Sequence, residues 1–270
     1  MQVVSLRIHP VKSTAITRVS NAYVGRAGLR GDREWMVVDS DGAMVSAREL
    51  PRLFTIRAVP QEPGGSVLLT AEGLPPYQVA ASGDDVPATM FGRPPLAVRE
   101  MAPDAAAWLE EVTGQSGLRL VWCANPADRQ LNPDFSQPAD HAAFQDGYPV
   151  TVASLASLNQ LNAWIVEGGG EPVQVDRFRP NIVIDGEVAF AEDAWQSVQI
   201  GDVGFRAAKP VDRCAMMLVD ASDLTRKNKE PIRTLSRHRK WDGKTWFCHH
   251  LIPDTEGEIR VGDQVVARTD

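Results

Sequence analysis

The sequence predicts a mixed α+β protein that is mainly β, built from antiparallel sheets or barrels and not from repeated βαβ units. Short apolar segments separated by Gly and Pro clusters occupy the first hundred residues, a spacing typical of antiparallel strands. Clear helical periodicity occurs in only two segments. The length of 270 residues, 43% hydrophobic and 23% charged, allows one large domain or two ordinary ones with a sizeable core.

The N-terminal half consists mostly of short predicted strands. Asp41-Gly42 is a strong hairpin signal, and one helical turn is expected over residues 48–53. The first clear helix runs from Asp104 to Thr113, because Pro103 precedes it and Gly114 ends it. The strands of this half are predicted over residues 3–8, 35–39, 44–46, 55–59, 67–70, 77–80, 96–100 and 118–122.

The C-terminal half begins with a polar, proline-containing stretch over residues 125–148, which predicts a long surface loop. Ser154 is the expected N-cap of a second helix, which ends at Gly168-Gly169-Gly170. A charged segment covers residues 222–240. Strands are predicted over residues 181–184, 197–200, 203–207 and 215–219, around 246–247, and over 259–266. We expect two domains, residues 1–120 and 121–270.

The charge of the chain is unevenly distributed. The net charge of −7 argues against a dedicated nucleic-acid binder. Residues 205–250, however, contain 11 Lys and Arg against 5 Asp and Glu, so this segment is locally +6 and the remainder is −13. The positive charge therefore surrounds Cys214.

The cysteines and the N-terminus indicate the cellular compartment. Three widely spaced cysteines do not form a disulfide scaffold, a four-cysteine zinc site or a four-cysteine iron–sulfur cluster. Residues 1–8 resemble a strand and not a signal peptide, and no apolar run approaches the ~20 residues that span a bilayer. We expect a cytoplasmic protein without a membrane partner.

The three cysteines have different surroundings. Cys214 follows Arg213, and a neighbouring guanidinium favours the reactive, metal-binding thiolate; the alternative is an inert thiol at the start of a strand. Cys123 follows an apolar strand and is expected in the core. Cys248-His249-His250 contains metal-binding residue types, but adjacent strand residues point to opposite faces, which disfavours a separate zinc site.

Basic residues at strand ends are candidate anion ligands. Arg177 and Arg179 alternate before a strand, so both guanidiniums share a face if this segment is extended. The alternative is a pair of structural salt bridges. Lys12 and Ser13, at the end of the first strand, offer an ammonium and a hydroxyl or form an ordinary turn. Arg33 starts the second strand.

Together these segments resemble the MOSC family, and in particular the longer members with an N-terminal β-barrel domain, which include the mitochondrial amidoxime-reducing component and its bacterial relatives. The resemblance implies an N-terminal β-barrel-like domain followed by a MOSC β-barrel domain. It runs nearly end to end through segments in the family's order: residues 9–13, 31–39, 176–183, 192–195, Arg213-Cys214 and 261–263.

This resemblance implies a molybdenum enzyme whose metal is held by a molybdopterin and by one protein cysteine. Cys214 matches the cysteine ligand, and a soft thiolate suits such a centre. Asp193 matches an acidic position close to the metal, a candidate proton donor. The expected pterin and phosphate contacts are Lys12, Ser13, Arg33, Ser154, Arg177, Arg179, Asn181 and Arg213, of which Arg177 has a structural alternative. A helix N-terminus such as that after Ser154 is independently a favourable anion site.

The implied chemistry is the two-electron reduction of N-hydroxylated compounds such as amidoximes, hydroxylamines and hydroxylated bases. Electrons are expected from a separate ferredoxin- or cytochrome-like protein with its reductase, because this chain contains no four-cysteine iron–sulfur cluster. Phe247-Cys248-His249-His250 departs from the Phe-Gly of many relatives. One alternative is a molybdenum cofactor-binding or sulfur-handling protein without turnover; another is a metal-free enzyme with Cys214 as nucleophile.

Overall fold

The computed structural model describes residues 1–62, 64–213, 215–219, 224–225 and 229–269. The helices are α1 (Asp104–Thr113), α2 (Leu155–Glu167) and α3 (Ile232–His238). The strands are β1 (Val3–Ile8), β2 (Thr17–Val19), β3 (Asn21–Gly25), β4 (Gly28–Leu29), β5 (Trp35–Val38), β6 (Arg57–Gln61), β7 (Ser66–Thr70), β8 (Tyr77–Ala88), β9 (Leu96–Met101), β10 (Arg119–Trp122), β11 (Val150–Ser154), β12 (Ile182–Ile184), β13 (Ser197–Ile200), β14 (Val203–Asp212), β15 (Lys240–Trp241), β16 (Lys244–Pro253), β17 (Gly257–Arg260) and β18 (Val265–Arg268).

The largest sheet joins both ends of the chain. Its strand order is β18-β13-β14-β16-β11-β12-β1-β2, with β15 added on β16. Leu6 of β1 lies opposite Ile182 of β12, so the first strands complete a sheet whose other strands come from the second half. Apolar side chains from β1, β12, β14 and β16 form one core cluster. The expected division at residue 120 stays a prediction.

The second sheet belongs to the N-terminal half, with the order β5-β10-β9-β8-β7-β6. Helix α1 buries Trp108 and Leu109 in the same core cluster as Leu120 of β10. The helix ends at Gly114, whose φ of 74° places it in the left-handed region that favours glycine. The predicted bounds of α1 are confirmed. A third sheet has the order β17-β3-β4.

The predicted second helix is α2, and Ser154 caps it as expected. The Ser154 hydroxyl accepts a hydrogen bond from the Ser157 amide at 3.4 Å. Leu161 and Ile165, from the predicted apolar stripe, are buried in a cluster that also contains Phe247. With its two main sheets and few helices, the protein is mixed α+β and mainly β, which confirms the predicted fold class.

One predicted strand is wrong. Residues 215–219 were expected to be extended, but Ala215–Leu218 is a 3-10 turn. A strand needs a partner, and β14 loses its partner here: Asp212 lies opposite Trp246, near the beginning of β16. The chain beyond Arg213 therefore has no extension of β16 to pair with. Other 3-10 turns are Pro51–Thr55, Pro126–Asp128, Val175–Phe178 and Ala191–Ala194.

The segment 125–148 is a long loop, as predicted, but its second part is not a surface loop. Phe144 is fully buried among apolar side chains of β5 and β10, and its amide donates to the Arg33 carbonyl at 2.9 Å. The polar composition of the segment gave no indication that Phe144 would be buried.

The predicted strand over residues 44–46 is reduced to one bridge between Val38 and Met44. The predicted strand over 259–266 is divided between β17 and β18.

Helix α3 lies inside the charged segment 222–240 and was not predicted. Leu235 is buried in the cluster around α2, which explains its helical packing. No helix in the described part of the chain is long and apolar enough to cross a membrane.

Candidate functional site

A cavity of about 600 Å³ is lined by residues from both halves of the chain. The lining side chains that the structure describes carry nine cationic groups and only two carboxylates. The carboxylates belong to Asp146 and Asp212. The cations are Lys12, Arg33, Arg48, Arg93, Arg177, Arg179, Lys209, Arg213 and Lys244. The fixed charge of this cavity therefore favours an anionic ligand.

Lys12 reaches the cavity because the chain turns sharply after β1. The Lys12 amide donates to the Trp35 carbonyl at 2.7 Å, which fixes this turn against β5. The ammonium donates to the Phe144 carbonyl at 2.7 Å and to the Asp146 carboxylate. Burial lowers the pKa of Lys12 to about 8, although the neighbouring Asp146 opposes this shift. Lys12 is therefore mostly charged at pH 7.

Arg33 is held in place by its neighbour in sequence. Its Nη1 donates to both carboxylate oxygens of Asp32, at 2.9 and 2.7 Å. His9 lies 3.1 Å from the same carboxylate through Nδ1. Burial favours a protonated Asp32, but Arg33 and His9 outweigh it and hold the pKa of Asp32 below its usual range. Burial and the nearby guanidiniums lower the pKa of His9, so His9 is neutral.

Arg177 and Arg179 both line the cavity, but not through the extended segment that was predicted. They lie in and directly after the 3-10 turn Val175–Phe178, and Arg179 has a φ of 52°. Nη1 of Arg177 donates to the Met217 carbonyl at 3.1 Å. Arg179 lies over the Phe54 ring, with 5.3 Å between its Cζ and the ring centroid.

Nη2 of the half-buried Arg179 is itself buried and contacts no hydrogen-bond acceptor among the described residues. Burial and the positive charge of Arg33 lower the pKa of Arg179 to about 9. A buried donor without a partner costs about 1–3 kcal/mol, more when it is charged. This cost would fall if an anion entered the cavity.

Arg213, directly after β14, also has one nitrogen without a described acceptor. Its Nε donates to the Phe247 carbonyl at 2.7 Å, and its Nη1 donates to the Phe178 carbonyl at 3.2 Å. The third nitrogen, Nη2, is buried and has no acceptor within the described ranges. Two carbonyls therefore orient this guanidinium.

Asn181 connects the strands beneath the cavity. Its side-chain oxygen accepts from the Thr151 amide at 3.1 Å and from Arg33 at 3.5 Å. Its side-chain nitrogen donates to the Arg7 carbonyl at 3.2 Å. Asn181 thus ties β1 and β11 to the Arg33 guanidinium.

Unusual backbone conformations concentrate at this cavity. The described chain has eight non-glycine residues with positive φ, and four of them line the cavity: Ser13, Arg33, Phe91 and Arg179. Such conformations are costly and persist where the surrounding structure imposes them, often at functional sites. Phe91 in addition lies 5.1 Å from the Lys12 ammonium and 5.3 Å from the Arg48 guanidinium, measured to its ring centroid.

The walls fit the phosphate-bearing, polar cofactor that the sequence resemblance implies. Arg179 and Arg213 each present a buried donor without a protein acceptor. Lys12 and Arg33 add buried or partly buried positive charge from the N-terminal half of the chain. Forked guanidiniums match phosphate oxygens in geometry and charge.

The sequence divides into two regions that match family models. The MOSC N-terminal beta barrel domain matches residues 1–116, and the MOSC domain matches residues 139–266. Mitochondrial amidoxime-reducing component 1 of Mus musculus is 32% identical over 97% of this chain and 81% of its own length. The chain belongs to the MOSC family. The Homo sapiens component 1 is also 32% identical, and component 2 is 30% identical, each over 97% of this chain and 82% of the relative.

Seven of the ten site residues predicted from the sequence line the cavity between the two MOSC regions. They are Lys12, Ser13, Arg33, Arg177, Arg179, Asn181 and Arg213. Cys214 lies outside the described residues. Its described neighbours Arg213 and Met217 both line the cavity.

The two remaining predicted residues lie outside the described walls of the cavity. Ser154 is buried at the start of α2 and caps the helix. Asp193 lies in the turn Ala191–Ala194, and its carboxylate accepts a hydrogen bond from Arg239 at 2.5 Å. Their predicted roles toward the cofactor and the substrate stay predictions.

The other two cysteines, Cys123 and Cys248, are both buried. Cys123 is buried in the N-terminal core, as predicted, and burial raises the pKa of its thiol to about 12. Cys248 is also buried and free, with a pKa raised to about 11 by burial. Within the described ranges, no three His, Cys, Asp or Glu side chains are placed to hold a metal ion.

Several lining residues were not found from the sequence. Asp146 is 134 positions from Lys12, so their ion pair leaves no local signal. Lys209 lies 5.1 Å from the ring centroids of both Phe135 and Trp246. Burial lowers the pKa of His250 to about 3, so this lining imidazole is neutral. The local excess of positive charge over residues 205–250 was the one sequence feature that pointed to Lys209 as a site residue.

Proposed function

We propose that this MOSC protein is a molybdenum cofactor-dependent reductase of N-hydroxylated compounds, such as amidoximes and hydroxylamines. The similar relatives are named amidoxime-reducing components, and they align along nearly the whole chain. The observation that carries the proposal is the cation-rich cavity, whose lining residues Arg179 and Arg213 each have a buried Nη2 without a described acceptor.

In this proposal the cofactor is held from both halves of the chain. Arg179 and Arg213 would donate to its phosphate or to its polar ring, and Lys12, Ser13 and Arg33 would hold it from the N-terminal wall. The Cys214 thiolate would ligate the metal. When bound, the molybdenum centre supplies the two-electron redox chemistry that removes oxygen from nitrogen.

The chain's own residues orient the ligands and set the electrostatics. Asp32 fixes the plane of the Arg33 guanidinium through two hydrogen bonds. The Phe247 and Phe178 carbonyls fix the plane of the Arg213 guanidinium. Lys12, with a pKa of about 8, holds a proton at neutral pH and stabilises negative charge in the cavity. Asp193, whose carboxylate pairs with Arg239 outside the described cavity walls, stays the proposed proton donor on the substrate side.

Reduction of one N–O bond consumes two electrons and two protons and releases water. The proposal assigns the electrons to a separate ferredoxin- or cytochrome-like protein with its reductase. A cytoplasmic location, where thiols stay reduced, is part of the same proposal.

The decisive experiment is to purify the protein from a host that makes molybdenum cofactor and from one that lacks it. Molybdenum, released pterin and benzamidoxime reduction by an artificial donor are then measured in both. We expect all three only from the first host. Equal, near-zero molybdenum from both hosts would refute the proposal, whereas bound cofactor without reduction by any donor would favour a cofactor carrier.

Cys214 is tested by replacing it with alanine. We expect Cys214→Ala to abolish reduction, because the thiolate ligand is lost, while the pterin contacts retain part of the cofactor. Cys123→Ala is the matched control, because this thiol is buried in the N-terminal core away from the cavity. Unchanged turnover by Cys214→Ala would remove Cys214 as a ligand.

A further inference from the structure

A row of exposed cations on and around α3 is not explained by the cavity. Lys229, Arg233, Arg237 and Lys240 are all exposed, and we call them the basic face. The Arg233 amide donates to the Lys229 carbonyl at 2.9 Å, so the helical spacing begins at Lys229. Residues four apart then share one side of the helix.

Within the described residues, the basic face makes one salt bridge, between Arg233 and Glu230. Between residues 229 and 244 the acidic residues are Glu230 and Asp242. Glu230 is buried and lies 3.7 Å from Arg233. Asp242 is exposed in the turn between β15 and β16. The whole chain is at −7, so this surface is locally opposite in sign to the molecule.

The cavity accounts for only part of the basic segment 205–250. Lys209, Arg213 and Lys244 line it, whereas no member of the basic face is among its described lining residues. A partner that recognises this surface would therefore differ from the cavity ligand. Its chemistry indicates an acidic macromolecule.

An aromatic pair connects the basic face with the interior. Trp241 follows Lys240 directly and is 38% exposed. Its ring stacks on the buried Trp246, with 5.8 Å between centroids and 30° between planes. The Trp246 indole nitrogen donates to the Trp241 carbonyl at 3.0 Å, and this hydrogen bond holds the two residues together.

The inner member of this pair contacts the strand that precedes Cys214. Trp246 lies opposite Asp212 in the pairing of β14 with β16. The adjacent Arg213 amide donates to the Thr245 carbonyl at 2.8 Å. The aromatic pair thus extends from an exposed surface to the end of β14, at the wall of the cavity.

We propose that the basic face, with Trp241 beside it, is the docking site for an acidic one-electron redox protein. This inference rests on the proposed reductase function, which needs an external donor. Electron transfer weakens steeply with distance, and this surface is connected to the cavity wall by two stacked rings. Two reduced partners dock in turn and are each oxidised by one electron. With two protons, these electrons break the N–O bond of the substrate and release its oxygen as water.

Binding is tested with two acidic probes, a plant-type [2Fe–2S] ferredoxin and an acidic b-type cytochrome. A basic c-type cytochrome serves as the control probe of opposite charge. Wild-type protein is compared with the triple variant Arg233→Glu, Arg237→Glu, Lys240→Glu. The matched control reverses three exposed arginines on β6, β17 and β18: Arg57→Glu, Arg260→Glu and Arg268→Glu.

We expect at least one acidic probe to bind the wild type, more weakly as salt rises from about 20 to about 200 mM. The basic-face variant should lose about tenfold or more in affinity relative to the control variant, because reversed contact charges repel the acidic probe. The basic cytochrome should not show this loss. Equal affinity of both triple variants, or no binding of either acidic probe, would overturn the docking site.

Turnover separates this inference from the proposed function. Cofactor-loaded wild type, the basic-face variant and Trp241→Ala are assayed for benzamidoxime reduction by the acidic probe that binds and by reduced methyl viologen. We expect both variants to lose about tenfold in probe-driven rate and to keep the dye-driven rate. Absence of dye-driven reduction in the wild type contradicts the proposed function, whereas normal probe-driven rates in both variants contradict the docking site alone.

Discussion

Nη2 of Arg33 donates a hydrogen bond to the backbone carbonyl of Arg179 at 3.1 Å, across 146 residues of sequence. This bond joins the N-terminal wall of the cavity to the C-terminal one. Both residues have a φ of 52°, so the backbone at each end is held in an unfavourable conformation. The cavity is therefore built by contacts between the two MOSC regions, and changes at this junction should affect folding and ligand binding together.

Asp32 is the anchor of this junction, because its carboxylate accepts both Arg33 hydrogen bonds and lies against His9. We expect Asp32→Asn to lower the free energy of unfolding by about 3–5 kcal/mol, since it leaves a mostly buried guanidinium without its counter-charge. Urea unfolding of the cofactor-free protein measures this loss. Asp202→Asn, on the exposed turn between β13 and β14, is the control and should change stability by less than about 0.5 kcal/mol. An equal effect of both substitutions would contradict the anchoring role.

Replacement of Arg179 should affect stability and cofactor binding differently: stability is kept or rises, whereas cofactor binding falls. Arg179→Met removes a charged side chain whose buried Nη2 has no described acceptor. We therefore expect the cofactor-free variant to be as stable as the wild type or more stable. The molybdenum and pterin content of protein from a cofactor-making host should fall at least about tenfold, because a charged hydrogen bond contributes about 1.5–3 kcal/mol.

Arg57→Met, at an exposed position of β6, is the control for this experiment and should change neither quantity. A strong loss of stability in cofactor-free Arg179→Met, with normal cofactor content, would show that this arginine serves the fold and not the ligand.

Burial of Lys12 predicts a pH dependence of stability in the cofactor-free protein. The pKa of Lys12 is lowered from 10.5 to about 8 in the folded state, so between these values the unfolded chain binds more protons. Stability must then rise with pH through this window, by at most about 3 kcal/mol from this group. We expect the free energy of unfolding of the wild type, minus that of Lys12→Met, to increase from pH 8 to pH 10. A flat difference would contradict the lowered pKa.

The sequence and the structure agree where local patterns decide the outcome. Helix α1 has its predicted bounds because proline and glycine flank one amphipathic segment. Cys123 is in the core because it follows an apolar strand. Lys12 follows β1 and Arg33 precedes β5, and both line one cavity although these strands belong to different sheets.

Features that depend on distant partners left no signal in the sequence. The Lys12–Asp146 ion pair joins residues 134 positions apart, and Phe144 anchors a loop that is polar by composition. The segment after Arg213 has strand-like composition but turns because its partner strand has ended. Such outcomes are decided by tertiary pairing, which a single sequence does not reveal.

Ser154 offers a last test, which separates a helix cap from a cofactor ligand. Its hydroxyl accepts the Ser157 amide, and a Cβ added at Gly186, whose φ is 71°, would lie 2.2 Å from it. The hydroxyl is thus enclosed by the protein. We expect Ser154→Ala to lower the free energy of unfolding by about 1 kcal/mol, as loss of an N-cap does. The cofactor content should stay at the wild-type level, because Ser154 lies outside the described cavity walls. A fall in molybdenum and pterin content at unchanged stability would instead support the cofactor contact that the sequence predicted.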